Sequence, residues 1–160
     1  MRRYAIVGVV LLVVGAFGLI GTALWLNSRA VSSRNDSQGA AASGAVLGRQ
    51  IFQAGTDENG QPIPRSGRGM MGLACADCHG ADGRGRRVRL MMGTFQTPDI
   101  RYSTLTTPHE GEPAWTERDI RRAVEAGVEP TGGQLDRRMP RWSLTDKEFG
   151  ALLDYLKELR

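Results

Sequence analysis

Apolar residues fall into distinct patterns along this chain, and each predicts a different kind of element. From Tyr4 to Ser28 the chain carries no charge and is dominated by Val, Leu, Ile, Gly and Ala, a continuous run rather than a stripe. From residue 45 onward the spacing becomes that of amphipathic helices. Val46, Leu47, Ile51 and Phe52 predict a short helix over residues 45–53, ended by Gly55. Thr116-Glu117-Arg118-Asp119 reads as a helix start, and Ile120, Ala123 and Val124 follow at helical spacing before Gly127. Thr145-Asp146-Lys147-Glu148 forms a capping box, and Phe149, Leu152, Leu153, Leu156 and Leu159 continue it as an amphipathic C-terminal helix. Between these helices, Asn59-Gly60, Pro62, Pro64, Gly67, Gly69, Gly72, Pro98 and Pro108 punctuate long loops. No segment has a convincing strand pattern, so the expected class is mainly α.

The first run is long enough to cross a bilayer: its 23 residues from Tyr4 to Leu26 span ~34 Å as a helix. The apolar part of a cleaved signal peptide is shorter, about 7 to 15 residues. Ser28-Arg29-Ala30 offers a small-x-small cleavage alternative. The reading adopted is a transmembrane anchor over residues 1–28, a flexible Ser/Ala/Gly-rich linker over 29–44 and a folded domain over 45–160. Tyr4 and Trp25 sit at the two ends of the run, where amphipathic rings favour membrane interfaces. Arg2 and Arg3 favour a cytoplasmic N-terminus, against the opposing pull of Arg29 and Arg34.

Charge changes the picture little. The chain has 21 basic and 17 acidic residues, a formal net of +4. Residues 45–160 hold 17 of the former and 16 of the latter, interleaved as on an ordinary solvated face. The domain therefore lacks the concentrated basic surface of a nucleic-acid binder.

The chemistry lies in Cys75-Ala76-Asp77-Cys78-His79. Two thiols three positions apart can add across the two vinyl groups of a haem, and the imidazole that follows can reach the iron. A thiol-disulfide site would not need the adjacent histidine and normally lies in a βαβ setting. A zinc site needs four ligands, and the only Cys and His residues are Cys75, Cys78, His79 and His109. Consecutive Cys78 and His79 are poorly placed to share one tetrahedral ion. Covalent haem c is the expected cofactor, and because bacteria attach haem to such strings outside the cytoplasmic membrane, the domain is expected on the periplasmic side.

With this string in place, residues 45–160 resemble the class I c-type cytochromes, in particular small monohaem bacterial members carried on an N-terminal membrane anchor. Gly48 and Phe52, with Leu152 and Tyr155, match the residues through which the first and last helices of that family cross. Met139-Pro140-Arg141-Trp142, followed by the capped last helix, looks like the family's methionine loop. The 22 residues between Phe52 and Cys75 are a departure, far longer than in compact members. The resemblance implies a class I cytochrome c fold around one haem, with His79 and Met139 as axial ligands. Met70, Met71, Met91, Met92 and His109 are the competitors for the second position. It further implies that the Pro98 carbonyl orients His79, and it makes Tyr102 and Trp142 candidate donors to the propionates, with plain core packing as the alternative. Arg84, Arg86, Arg87 and Arg89 read by default as a solvated face, with propionate charge compensation or a docking patch as the alternatives.

The expected function is single-electron transfer by a membrane-tethered carrier between redox protein partners of a respiratory chain, with no small-molecule substrate. The alternative is the electron-transfer subunit of a periplasmic oxidoreductase complex.

Overall fold

Two capped or glycine-notched helices, the first and the last, cross at the centre of the fold and set the position of everything else. In the computed structural model residues 44–67, 74–90, 93–109 and 111–160 are described. The expected anchor and nearly all of the linker lie outside them. Among the described residues no helix is long and apolar enough to cross a membrane.

Helix α1 covers residues 44–54. Leu47, Ile51 and Phe52 are buried, whereas Val46, expected on the same face, is 66% exposed. At 100° per residue, Val46 lies opposite the stripe formed by Leu47, Gly48, Ile51 and Phe52. A Cβ at Gly48 would collide with the Ala151 carbonyl oxygen and sit 2.9 Å from Tyr155 Cβ, so the missing side chain is what lets the last helix approach. That helix, α5 (Asp146–Glu158), starts at a capping box in which Glu148 N–H donates to Thr145 Oγ1 and Thr145 N–H donates to the Glu148 carboxylate at 2.8 Å. It buries Phe149, Ala151, Leu152, Leu153 and Leu156, each large apolar side chain contributing about 1.5–3 kcal/mol. The Phe52 and Tyr155 rings meet at 5.3 Å and 53° across the crossing.

The remaining helices are short. The five-residue α2 (Cys75–His79) carries the cysteine string, α3 spans Tyr102–Leu105, and α4 spans Glu117–Ala126. Helix α4 is capped by Thr116 and ended by Gly127 in the left-handed conformation, burying Ile120 and Ala123.

The structure is mainly helical but contains strand pairs that the sequence pattern did not predict. β2 (Arg87–Leu90) and β3 (Gly93–Gln96) form an antiparallel pair in which Val88 faces Phe95 and Arg87 faces Gln96. The Arg-Val-Arg-Leu alternation has the period of a strand, but four residues rich in arginine resemble a solvated loop. β1 (Arg65–Ser66) pairs with β4 (Arg141–Trp142), Arg65 opposite Trp142 and Ser66 opposite Arg141. This second pair shows what the long segment after Phe52 does. It buries Ile63, accepts Ser143 N–H at Pro64 O (2.8 Å), and lies alongside the chain immediately after Met139.

Candidate metal centre

A local hydrogen bond shapes the start of the cysteine string. Ala74 has no side chain to cap α2, so the Asp77 carboxylate accepts Ala74 N–H at 3.0 Å. The single helical turn leaves Cys75 and Cys78 half-buried and His79 8% exposed. Burial pushes the Cys75 thiol up to about 12, and burial also raises Cys78, with Asp77 adding to it and Arg86 opposing. Among the described residues no three His, Cys, Asp or Glu side chains are grouped to hold a metal ion, which removes the zinc reading there.

His79 is oriented from behind. Its Nδ1 lies 3.0 Å from Pro98 O. A carbonyl can only accept, so Nδ1 carries the proton and Nε2 keeps the lone pair that a metal needs. Burial lowers the His79 pKa, against the pull of the Pro98 carbonyl, and so favours the neutral ligating form. The Pro98 carbonyl is itself held close. Gly85, at φ +79°, donates its N–H to His79 O at 2.8 Å, and a Cβ there would collide with Thr97 and Pro98 backbone atoms. Thr97, 6% exposed, accepts Arg86 N–H at 2.8 Å and directs its hydroxyl proton to Cys78 O (2.8 Å) or Arg86 O (2.9 Å). Sequence reasoning missed Thr97, because nothing in the spacing of a threonine before a proline signals a contact 19 residues back.

Two cavities adjoin at His79. The first is lined by both cysteines, Phe52, Phe95, Pro98, Trp142, Leu152 and Leu156, and Met139 lies in its wall with His79. The second, on the side of α3 and α4, shares His79, Pro98, Ile100, Val124, Leu135, Met139 and Leu156 and adds His109 and Glu112. His79 and Met139 thus line both. Trp142 is 5% exposed under the Arg65 guanidinium, 5.4 Å from its ring. Tyr102 lines neither cavity; its hydroxyl is 3.4 Å from the Glu117 carboxylate and Lys157 Nζ sits 5.2 Å from its ring. His109 is exposed at the rim of the second cavity. Met70, Met71, Met91 and Met92 lie outside the described residues.

The mostly apolar slot, with two thiols and a neutral imidazole on one wall and a thioether in the lining, fits a covalently held haem. Its donor set is soft and nitrogenous, as iron in a porphyrin requires. Comparison with known families decides the matter: residues 45–160 match the cytochrome c family. The chain belongs to the cytochrome c family. Covalently bound haem c is its cofactor and electron transfer its activity, with Cys75, Cys78 and His79 as the attachment string. This cytochrome is also 34% identical, over 90 residues, to one of the subunits of the nitric oxide reductase of Paracoccus denitrificans. The match covers 52% of this chain and 49% of that relative, so it spans about half the length of each. No solved structure matches the chain significantly.

Proposed function

We propose that this cytochrome is the electron-transfer subunit of a membrane oxidoreductase of the nitric oxide reductase type, with His79 and Met139 as the side chains that would ligate its iron. The observation that carries the ligation is the presence of both side chains in the lining of both cavities. The likeness to part of a nitric oxide reductase supports the assignment to a complex over a free shuttle. The apolar run from Tyr4 to Leu26 supports attachment to the bacterial inner membrane with the haem domain on the periplasmic side.

Haem c supplies an iron that changes oxidation state by one electron. The protein sets the conditions for that change. His79 Nδ1–H donating to Pro98 O makes the imidazole a better donor and fixes its plane. A thioether from Met139 would favour the ferrous state, and Phe52, Phe95, Trp142, Leu152 and Leu156 give the slot an apolar lining. Pro140 restricts the backbone beside Met139.

Purification of the full-length chain from membranes in mild detergent tests this function. Co-purification with a catalytic subunit that reduces nitric oxide is expected, with electrons passing from the reduced cytochrome to that subunit. Isolation as a lone chain that exchanges electrons reversibly with several carriers would establish the shuttle instead.

A further inference from the structure

Arg141 sits behind the methionine loop and lines neither cavity. Its Nη2 donates to Leu135 O at 3.0 Å and its Nη1 donates to Met139 O. One planar guanidinium therefore grips both ends of the segment 135–139. The seat it occupies depends on Gly127, where a Cβ would run into the guanidinium. Gly127 adopts φ +68° as it ends α4, and its carbonyl accepts Leu135 N–H at 2.8 Å, so the same residue makes room for the arginine and anchors the start of the loop. The backbone of Arg141 is fixed in turn by β4, opposite Ser66. Inside the loop, Met139 N–H donates to Asp136 O at 3.1 Å. A rigid fork of donors matches two carbonyls in this way, and the single ammonium of lysine does not.

We propose that Arg141 is the positioning residue for Met139: by tying Leu135 O to Met139 O against the Gly127 seat, it holds the thioether in place against exchange with other ligands. This rests on Met139 being an iron ligand. Loss of the grip frees two carbonyls to turn to water and lets the loop swing, so an external ligand competes more easily while Met139 itself is unchanged.

The test uses the full-length haem-loaded protein and its Arg141→Lys, Arg141→Gln, Gly127→Ala and Met139→Ala variants. Imidazole is titrated into each ferric protein while the far-red absorption band of thioether-ligated ferric haem is followed, and the unfolding midpoint is measured in parallel. Arg141→Lys and Arg141→Gln are expected to bind imidazole about tenfold more tightly than wild type, the loss that one charge-assisted hydrogen bond delivers. Gly127→Ala should move in the same direction although the arginine is intact. Wild-type imidazole affinity in the Arg141 variants, with only a lowered unfolding midpoint, would overturn the proposal and leave Arg141 a purely structural residue. If Met139→Ala keeps the band and the affinity, the ligand reading fails and the positioning role falls with it. If Met139→Ala opens the iron while the Arg141 variants behave as wild type, the positioning role alone fails. Should Arg141→Gln not load haem, Arg141→Lys and Gly127→Ala decide.

Discussion

The two sides of the haem slot are built differently. On the histidine side, His79 directly follows the second cysteine, and Thr97, Pro98 and Gly85 hold this stretch through short hydrogen bonds within a buried network. On the methionine side, Met139 lies on a half-exposed loop secured by arginines. Arg141 grips its carbonyls, and Arg138 pairs with Asp136 while covering the Phe95 ring at 4.2 Å. Buried neutral networks are costly to open, whereas exposed ion pairs contribute little each. On the proposed ligation, the contrast would give a permanent attachment on one face and, on the other, a ligand held only by its loop.

Removing the permanent side should have the largest effect. Replacing Cys75 and Cys78 with alanine should abolish covalent haem, read by extraction of the pigment into acidified organic solvent, which removes nothing from wild type. Met139→Ala should leave the haem attached but lower the midpoint potential by some tenths of a volt, within the roughly 0.8 V that axial ligands command. It should also admit carbon monoxide to the ferrous protein.

A smaller pair of changes sharpens the contrast. Thr97→Val leaves the Cys78 carbonyl and Arg86 N–H without their partner in a buried setting, a loss of about 1–3 kcal/mol in denaturant unfolding. Imidazole affinity should barely change. Arg138→Gln removes an exposed, solvent-screened ion pair and a cation–π contact and should lower stability less than Thr97→Val does. A stability loss larger in Arg138→Gln than in Thr97→Val would reverse the comparison.

How much of this was legible in the sequence follows from how local each signal is. The attachment string, the helix start at Thr116 and the capping box at Thr145 each lie within a few consecutive residues, and both helix starts are formed as read. The β2–β3 pair escaped because its arginines masked an alternation of only four residues. Thr97 and the Arg141 grip escaped because their partners lie up to 19 residues away and include backbone carbonyls, which leave no mark on the side-chain pattern. Val46 departs from the expected core face because it neighbours Leu47 in sequence while lying on the other side of the helix. The segment after Phe52 could be seen to be long, but its pairing with β4 depends on the fold.

The smallest expected effect is a pH dependence on the histidine side. Asp99, next to Pro98, is held below the usual carboxylate range by the Arg101 guanidinium. A carboxylate lowered on folding contributes stability above its unfolded pKa, and that stability is lost as pH falls through the folded value. Below about pH 4 the wild-type melting temperature should therefore fall more than that of Asp99→Asn. Parallel melting curves for the two proteins would show that the pair contributes nothing.

The most direct measurement of the central claim is X-ray absorption at the iron edge of the full-length ferric protein. The account predicts one sulfur scatterer beside the porphyrin and imidazole nitrogens, lost in Met139→Ala. A shell of nitrogen alone in the wild type, or a sulfur that survives in Met139→Ala, would contradict it.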